Sequence, residues 1–205
     1  MNQVQPQRLS AEQRKWAELS DVHGPSFAAD GAGGVRLVCV GAVPLSAALC
    51  RIARTIGWAP FVLDPRERFA RPERFPDAAR VLAAWPAEGF AELGELDGRT
   101  AVAALTHAPE LDDEALTLAL RSPAFYVGAL GSRRNQGRRR ERLLAAGLSE
   151  AELARLRGPA GLDLGGETAG EAALAILAEA VAVLRGREGG PLTSSANAVH
   201  VEGRP

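Results

Sequence analysis

One segment of the sequence places two glycines, a hydroxyl group and two cations next to one another: Gly128-Ala-Leu-Gly131-Ser132-Arg133-Arg134. It follows the apolar residues Phe125 to Val127, which predict a strand, and Ser132 suits the cap of a helix that begins with the arginines. The unpaired N–H groups and the positive dipole end of such a helix, beside two guanidinium groups, favour a phosphate. An ordinary strand-to-helix turn with solvated arginines fits the same residues equally well, so the segment alone leaves both interpretations open.

A second glycine loop follows the first apolar strand and reads Gly41-Ala-Val-Pro-Leu-Ser46. A dinucleotide-binding fold has G-x-G-x-x-G at this place, and Gly41 matches its first glycine. Val43 replaces the glycine that lets the backbone approach a pyrophosphate, and Pro44 removes an N–H donor. We therefore do not expect tight dinucleotide binding in the usual pose.

Asp64 lies 23 residues after Gly41, at the end of the second predicted strand. A carboxylate at this position holds the ribose hydroxyls in dinucleotide-binding folds. Asp64 is equally suited to open a turn with Pro65, and both interpretations stay open.

Thr106 and His107 end another predicted strand, which should lie beside the first at the topological switch point of the sheet. We expect His107 to face the crevice and to contact a ligand or handle a proton, in preference to a purely structural or exposed role. The other histidines, His23 and His200, are close to the two ends of the chain, so no His/Cys metal site is predicted.

A third loop precedes the last predicted helix. Thr168 and Glu171 have the spacing of a capping box, while Asp163 and Gly165 could bend the chain toward the crevice. A tight, well-capped loop and a direct ligand contact both remain open. The arginines that follow Arg134, together with Glu141, are interpreted as a solvated helix face.

Alternating strand and helix patterns must position all these residues. Strands are predicted at residues 35–41, 60–64, 80–83, 100–106 and 124–130, and helices at 45–57, 112–121, 133–146 and 169–184. This alternation indicates an α/β fold, a Rossmann-like open and mostly parallel sheet with helices on both faces. Such a sheet binds its ligands at the carboxyl ends of its strands, where the candidate residues lie.

The 205 residues predict a single domain at 35–186, between a polar leader at 1–34 and a disordered tail at 187–205. In the leader, Ser10-Ala-Glu-Gln13 resembles a capping box that opens a short helix with Trp16 and Leu19. The net charge of −1 argues against a nucleic-acid-binding protein. Two isolated cysteines and the lack of a long apolar run predict a cytoplasmic protein without a membrane segment.

Several stretches resemble the Rossmann-type domain of the XdhC family, the xanthine dehydrogenase accessory proteins related to the CoxF/CoxI maturation factors of carbon monoxide dehydrogenase. The matching stretches cover most of residues 35–186 and are Leu63–Arg66, Arg71–Asp77, Leu105–His107, Leu111–Asp113, Tyr126–Arg134, Gly161–Gly165 and Thr168–Glu179. The long glycine-arginine stretch is the most specific to the family.

The resemblance implies a factor that binds the molybdenum cofactor, supports its sulfuration and inserts it into a molybdenum hydroxylase of the xanthine dehydrogenase or CO dehydrogenase type. The apo-hydroxylase would be its partner, with a cysteine desulfurase as a further candidate, and the choice between monomer and homodimer stays open. Such a factor is a binding protein rather than a catalyst. Its cofactor site would comprise Gly41, Asp64, Thr106, His107, Gly128, Gly131, Ser132, Arg133, Arg134, Asp163 and Gly165, without a metal-ligating residue.

Two departures from the family pattern keep alternatives open. The family's first loop usually reads Gly-Ala-Gly-His, where this chain has Gly41-Ala-Val-Pro44. Full-length relatives also carry an N-terminal domain with a cysteine-glycine motif, which residues 1–34 do not resemble. The alternatives are an oxidoreductase that binds NAD(P) or another nucleotide through Gly41 and Asp64, and an interaction subunit whose crevice binds no ligand.

Overall fold

The computed structural model of the protein describes residues 34–195. Within them, six strands form one fully parallel sheet in the order β3-β2-β1-β4-β5-β6. The strands are β1 (Arg36–Val40), β2 (Ala59–Leu63), β3 (Arg80–Leu82), β4 (Thr100–Ala104), β5 (Tyr126–Ala129) and β6 (Leu156–Arg157). The strands β1 to β3 are added toward one side of the sheet and β4 to β6 toward the other, and β1 pairs directly with β4. The predicted switch point is therefore confirmed.

The same residues form six α-helices: α1 (Pro44–Thr55), α2 (Pro86–Leu93), α3 (Pro109–Arg121), α4 (Arg133–Ala145), α5 (Glu150–Leu153) and α6 (Ala169–Leu184). The first three each begin with a proline, whose fixed φ and missing N–H suit the first helical position. Short 3₁₀ helices lie at Pro72–Arg74 and Leu192–Ser194. The sequence patterns did not predict α2, α5 or β6, and the predicted leader helix lies outside the described residues.

Apolar residues fill both faces of the sheet. Val38 and Val40 of β1 point into a core that α2, α3, α4 and α5 cover. Leu37 and Cys39 point to the opposite face, which α1 and α6 cover. Burial of both faces explains why the central strands β2, β4 and β5 are fully buried and mostly apolar, and the predicted Rossmann-like α/β fold is confirmed. Within residues 34–195, no helix is both long and apolar enough to cross a bilayer.

Candidate functional site

The loop between β1 and α1 is closed by hydrogen bonds within the protein. The N–H group of Gly41 donates to Leu63 O at 2.7 Å, and the N–H group of Ala42 donates to Asp64 Oδ2 at 2.8 Å. The buried Ser46 hydroxyl donates to Gly41 O at 2.5 Å. Two backbone donors near the place where a dinucleotide fold binds pyrophosphate are thus already used, and Pro44 offers none.

Asp64 is fully buried and tied to its neighbours. The Arg66 side chain donates from Nε to Oδ1 at 2.8 Å and from Nη2 to Oδ2 at 2.7 Å. The backbone N–H group of Arg66 also donates to Oδ1. Burial alone would raise the pKa of Asp64, but the hydrogen bonds from Arg66 and Ala42 outweigh it and lower the pKa below its usual value. Asp64 therefore acts as an acceptor for the protein itself, and its oxygens are not free for a ribose.

Gly41 and Thr106 bring the ends of β1 and β4 into close contact. Gly41 has a φ of +116°, a conformation that side chains rarely adopt, and a Cβ atom there would lie 2.5 Å from Thr106 Cγ2. Only glycine combines this backbone conformation with this approach. The first glycine of the loop thus packs against the β4 end.

Thr106 is bound in turn to Asp112, in the first turn of α3. The Thr106 hydroxyl donates to Asp112 Oδ1 at 2.6 Å, and the Thr106 N–H group donates to the same oxygen at 3.3 Å. The other oxygen, Oδ2, accepts from Arg139 Nη2 of α4 at 3.1 Å. Burial raises the pKa of Asp112 above its usual value, and the contacts with Thr106 and Arg139 only partly oppose this effect.

Arg139 links Asp112 to the glycine-arginine segment. Its Nη1 donates to Leu130 O at 3.0 Å and to Gln136 Oε1 at 2.7 Å. The Gln136 amide lies 3.2–3.4 Å from the carbonyl oxygens of Ala129, Leu130 and Gly131. The interpretation of the arginine run as a solvated face is wrong for Arg139, which is only 5% exposed. Its Nε has no hydrogen-bond partner among the described residues.

The start of α4 has the features that the sequence predicted. Gly131 has a φ of +128°, and Ser132 caps the helix by accepting a hydrogen bond from the Asn135 N–H group at 3.3 Å. Arg133 and Arg134 supply the first N–H groups of the helix, which have no carbonyl oxygen one turn earlier. Both arginine side chains are exposed, and neither forms an ion pair with a residue in the range 34–195. This helix start can bind an anion with backbone and side-chain donors.

The remaining predicted site residues occupy different positions. His107 is exposed, directly beyond the buried Thr106. Gly128 is buried within β5, where a Cβ atom would lie 2.7 Å from the Tyr126 ring, so its backbone makes room for that ring. Asp163 and Gly165 are exposed in the loop before α6.

Two sets of hydrogen bonds hold that loop. Glu179 Oε2 accepts from the Tyr126 hydroxyl at 2.7 Å and from the Gly161 N–H group at 2.8 Å. The predicted capping box of Thr168 and Glu171 is present. The loop therefore starts beside β5 and ends at a well-capped helix.

Asp112, Gln136 and Arg139 were missed as site residues by the sequence analysis, although they connect the loops. A usable signal existed for Arg139, because it lies seven residues after Ser132 and so returns to the same helix face after two turns. The resulting chain of contacts crosses the ends of four adjacent strands and runs Asp64, Ala42, Gly41, Thr106, Asp112, Arg139, Leu130.

The described residues contain no group of three or more His, Cys, Asp or Glu side chains that could hold a metal ion. The only two cysteines of the sequence, Cys39 and Cys50, are both buried in the core. Hydrogen bonding to Cys50 and burial raise the pKa of the Cys39 thiol well above its usual value. The chain therefore exposes no cysteine thiol that could carry sulfur.

Comparison with known proteins agrees with this architecture. Residues 37–180 match the family described as the XdhC Rossmann domain. The chain belongs to the XdhC family. Among curated relatives, the XdhC domain of this chain is similar to the uncharacterised protein YqeB of Escherichia coli strain K12, with 33% identity over 76% of this chain and 28% of YqeB. It is also similar to a Bacillus subtilis strain 168 protein named as a probable xanthine dehydrogenase subunit, with 28% identity over 71% of this chain and 42% of that protein.

A solved structure gives the same result for the fold. The crystal structure of a Bacillus halodurans protein named a xanthine dehydrogenase superimposes with a TM-score of 0.64 and 28% identity, over 80% of this chain and 45% of the other. The chain thus spans less than half the length of each of these XdhC relatives.

Proposed function

We propose that this chain is an accessory factor that binds the molybdenum cofactor and supports its sulfuration and its insertion into a xanthine dehydrogenase or CO dehydrogenase-type hydroxylase. The proposal rests on family membership and on the name of the Bacillus subtilis relative. The observation that carries the binding role is the start of α4, where the first turn of a capped helix carries two exposed arginines without an ion pair to any residue in the range 34–195. The pterin part of the cofactor ends in a phosphate, which such donors suit.

The donors at the start of α4 suit the phosphate of this cofactor. The backbone N–H groups and the side chains of Arg133 and Arg134 would bind the phosphate, while Ser132 and Gly131 shape the turn before them. His107, at the end of the adjacent strand, would lie toward the pterin. No described cluster offers ligands for the molybdenum. The cofactor is therefore cargo, and its metal supplies redox chemistry only in the enzyme that receives it.

The burial of both cysteines indicates that this chain would not itself transfer sulfur during sulfuration. A protein that transfers sulfur through its own persulfide needs an accessible thiolate. Cys39 and Cys50 are both fully buried, and the chain has no other cysteine. Sulfur would therefore come from a separate donor such as a cysteine desulfurase, while this chain holds the cofactor.

Two observations count against an NAD(P)-dependent oxidoreductase. The N–H groups of Gly41 and Ala42 are used within the protein, and both oxygens of Asp64 accept hydrogen bonds from Arg66. The donors and the acceptor that hold a dinucleotide in the usual pose are thus occupied.

Purification from two hosts tests the proposal. One host makes the molybdenum cofactor, and the other is blocked in pterin synthesis. We expect a fluorescent pterin to co-purify with the chain only from the first host, and only that preparation to activate an apo-hydroxylase. Protein from the first host that carries no pterin, and has none after incubation with free cofactor, would rule out the binding role.

A further inference from the structure

An arginine cluster surrounds Phe69, in the segment that follows β2. The guanidinium carbons of Arg66, Arg68 and Arg74 lie 4.8, 4.6 and 5.6 Å from the centre of the Phe69 ring. Cation–π contacts at these distances hold guanidinium groups in place without using their N–H donors. Arg68, Phe69, Arg71, Glu73 and Arg74 line a shallow, open cleft of about 520 Å³.

The charges within this cleft are only partly compensated. Arg66 is bound to Asp64, and Arg71 lies 3.8 Å from Glu73, the one acidic residue of the lining. Among the described residues, the Arg74 side chain donates one hydrogen bond, from Nη1 to the backbone oxygen of Phe69 at 3.0 Å. Arg68 has no hydrogen bond or ion pair with another residue of the described range. The positive charges of Arg68 and Arg74 thus lack an acidic partner among residues 34–195.

Several exposed arginines elsewhere in the fold do have such a partner. Arg80 pairs with Glu92, Arg140 with Glu150 and Arg142 with Asp113. Unpaired guanidinium groups that lie side by side repel each other, and this repulsion lowers the stability of the fold. Other exposed arginines, such as Arg99 and Arg138, also lack an ion pair within the described range, but Arg68 and Arg74 lie around one aromatic ring in a cleft, and this grouping favours an anion site.

The cleft follows the second strand, near the place where a Rossmann-type fold binds the sugar of a nucleotide. It follows the end of β2, and in this fold an arginine at that place accommodates a phosphate on the sugar. Asp64, the residue that would bind the free sugar hydroxyls, is already occupied by Arg66. The local chemistry therefore favours a doubly charged phosphate over a neutral diol.

We propose that the cleft formed by Arg68, Phe69, Arg71 and Arg74 binds the phosphomonoester group of an organic phosphate. Arg68 and Arg74 contact the phosphate oxygens, and Phe69 holds both guanidinium groups toward them. This site is separate from the start of α4, because the ends of β2 and β5 are three strand spacings apart, about 14 Å. It does not depend on pterin binding.

Titration of variants with a weakened α4 site tests this proposal independently of the proposed function. Arg133→Ala is the background, so that phosphate binding at the start of α4 is weakened in every protein compared. The probes are 2′-AMP, ribose 5-phosphate, inorganic phosphate and uncharged adenosine. The test variant adds Arg68→Ala and Arg74→Ala to the background. The charge-matched control adds Arg80→Ala and Arg140→Ala, which remove two exposed, paired arginines.

We expect 2′-AMP to bind the background protein and the control equally, and at least tenfold more weakly to the test variant. Adenosine should not bind, and the affinity for 2′-AMP should fall as salt increases. A ribose 5-phosphate affinity equal to that for 2′-AMP assigns the site to sugar phosphates in general, whereas a preference for 2′-AMP assigns it to nucleotides. Equal 2′-AMP binding by the test variant and the background overturns the proposal. Binding of a Glu-rich peptide without binding of any phosphate probe also overturns it.

Discussion

Arg139 donates a hydrogen bond to Asp112 at 3.1 Å although their side chains are only 6% and 2% exposed. Asp112 also accepts from Thr106 at the end of β4, and Arg139 also donates to Leu130 after β5. The buried pair therefore fixes two neighbouring strand ends relative to each other. This connection links the end of β4, which precedes His107, to the segment that leads into α4.

Arg139→Met should reduce the free energy of unfolding by about 3–5 kcal/mol, because it leaves the carboxylate of Asp112 buried without a cation. Chemical denaturation measures this change. The double variant Arg139→Met with Asp112→Asn should be more stable than Arg139→Met alone, since the uncompensated charge is gone. The control is Arg142→Met, whose ion pair with Asp113 is partly exposed and should be worth about 1 kcal/mol or less. Equal effects of Arg139→Met and Arg142→Met would contradict the role of the buried pair.

Gly41→Ala should destabilise the protein by about 2 kcal/mol or more, because it strains the backbone at φ +116° and places a methyl group against Thr106 Cγ2. Thr106→Ser removes that methyl group and keeps the hydroxyl that binds Asp112. In a double-mutant cycle, Thr106→Ser should relieve part of the cost of Gly41→Ala, and the remainder measures the backbone strain. Additive effects of the two substitutions would show that the close approach carries no energy.

Acidification should remove the stability that Asp64 contributes. Its pKa is lowered in the folded protein, so its ionised form stabilises the fold above the pKa of the unfolded chain, about 3.9. That contribution is lost as the pH falls through the lowered pKa of the folded state. Asp64→Asn should cost about 2 kcal/mol at pH 7, and the difference from wild type should shrink as the pH is lowered below about 4. A difference that stays constant from pH 7 to pH 3 would contradict this assignment.

Restoring a glycine in the first loop should not create a dinucleotide site. Val43→Gly removes the side chain that obstructs the loop, but the N–H groups of Gly41 and Ala42 stay bound to Leu63 and Asp64. We expect neither wild type nor Val43→Gly to give binding heat with millimolar NADH in calorimetry; NADH lacks the phosphomonoester that the arginine cleft is proposed to bind. A dissociation constant in the micromolar range for the variant would show that the valine alone blocks the site.

The fold was predictable because its signals are local. Apolar strands such as residues 37–40 and the helices predicted at 45–57 and 112–121 can be identified from neighbouring residues alone, although both helices start earlier, at Pro44 and Pro109. The two-residue strand β6 and the four-residue helix α5 are too short to show a period, so they were missed.

The site was predictable only as a set of loops. The order of the strands places Gly41, Asp64, Thr106 and Gly131 at one edge of the sheet, and that much follows from the α/β pattern. The partners of these residues do not follow from it, because a hydrogen bond between Asp112 and Arg139 spans 27 positions of the sequence. The same limit applies to Asp64, since nothing in the sequence distinguishes a free carboxylate from one that accepts from Arg66.

Equilibrium titration of purified molybdopterin cofactor onto the Arg133→Ala variant tests the central claim most directly. The matched control is Arg138→Ala, which removes an equally exposed arginine from the same helix, more than one turn beyond its start. We expect Arg133→Ala to weaken binding at least tenfold and Arg138→Ala to leave it close to that of wild type. Unchanged affinity in Arg133→Ala, or equal losses in both variants, would contradict a phosphate site at the start of α4.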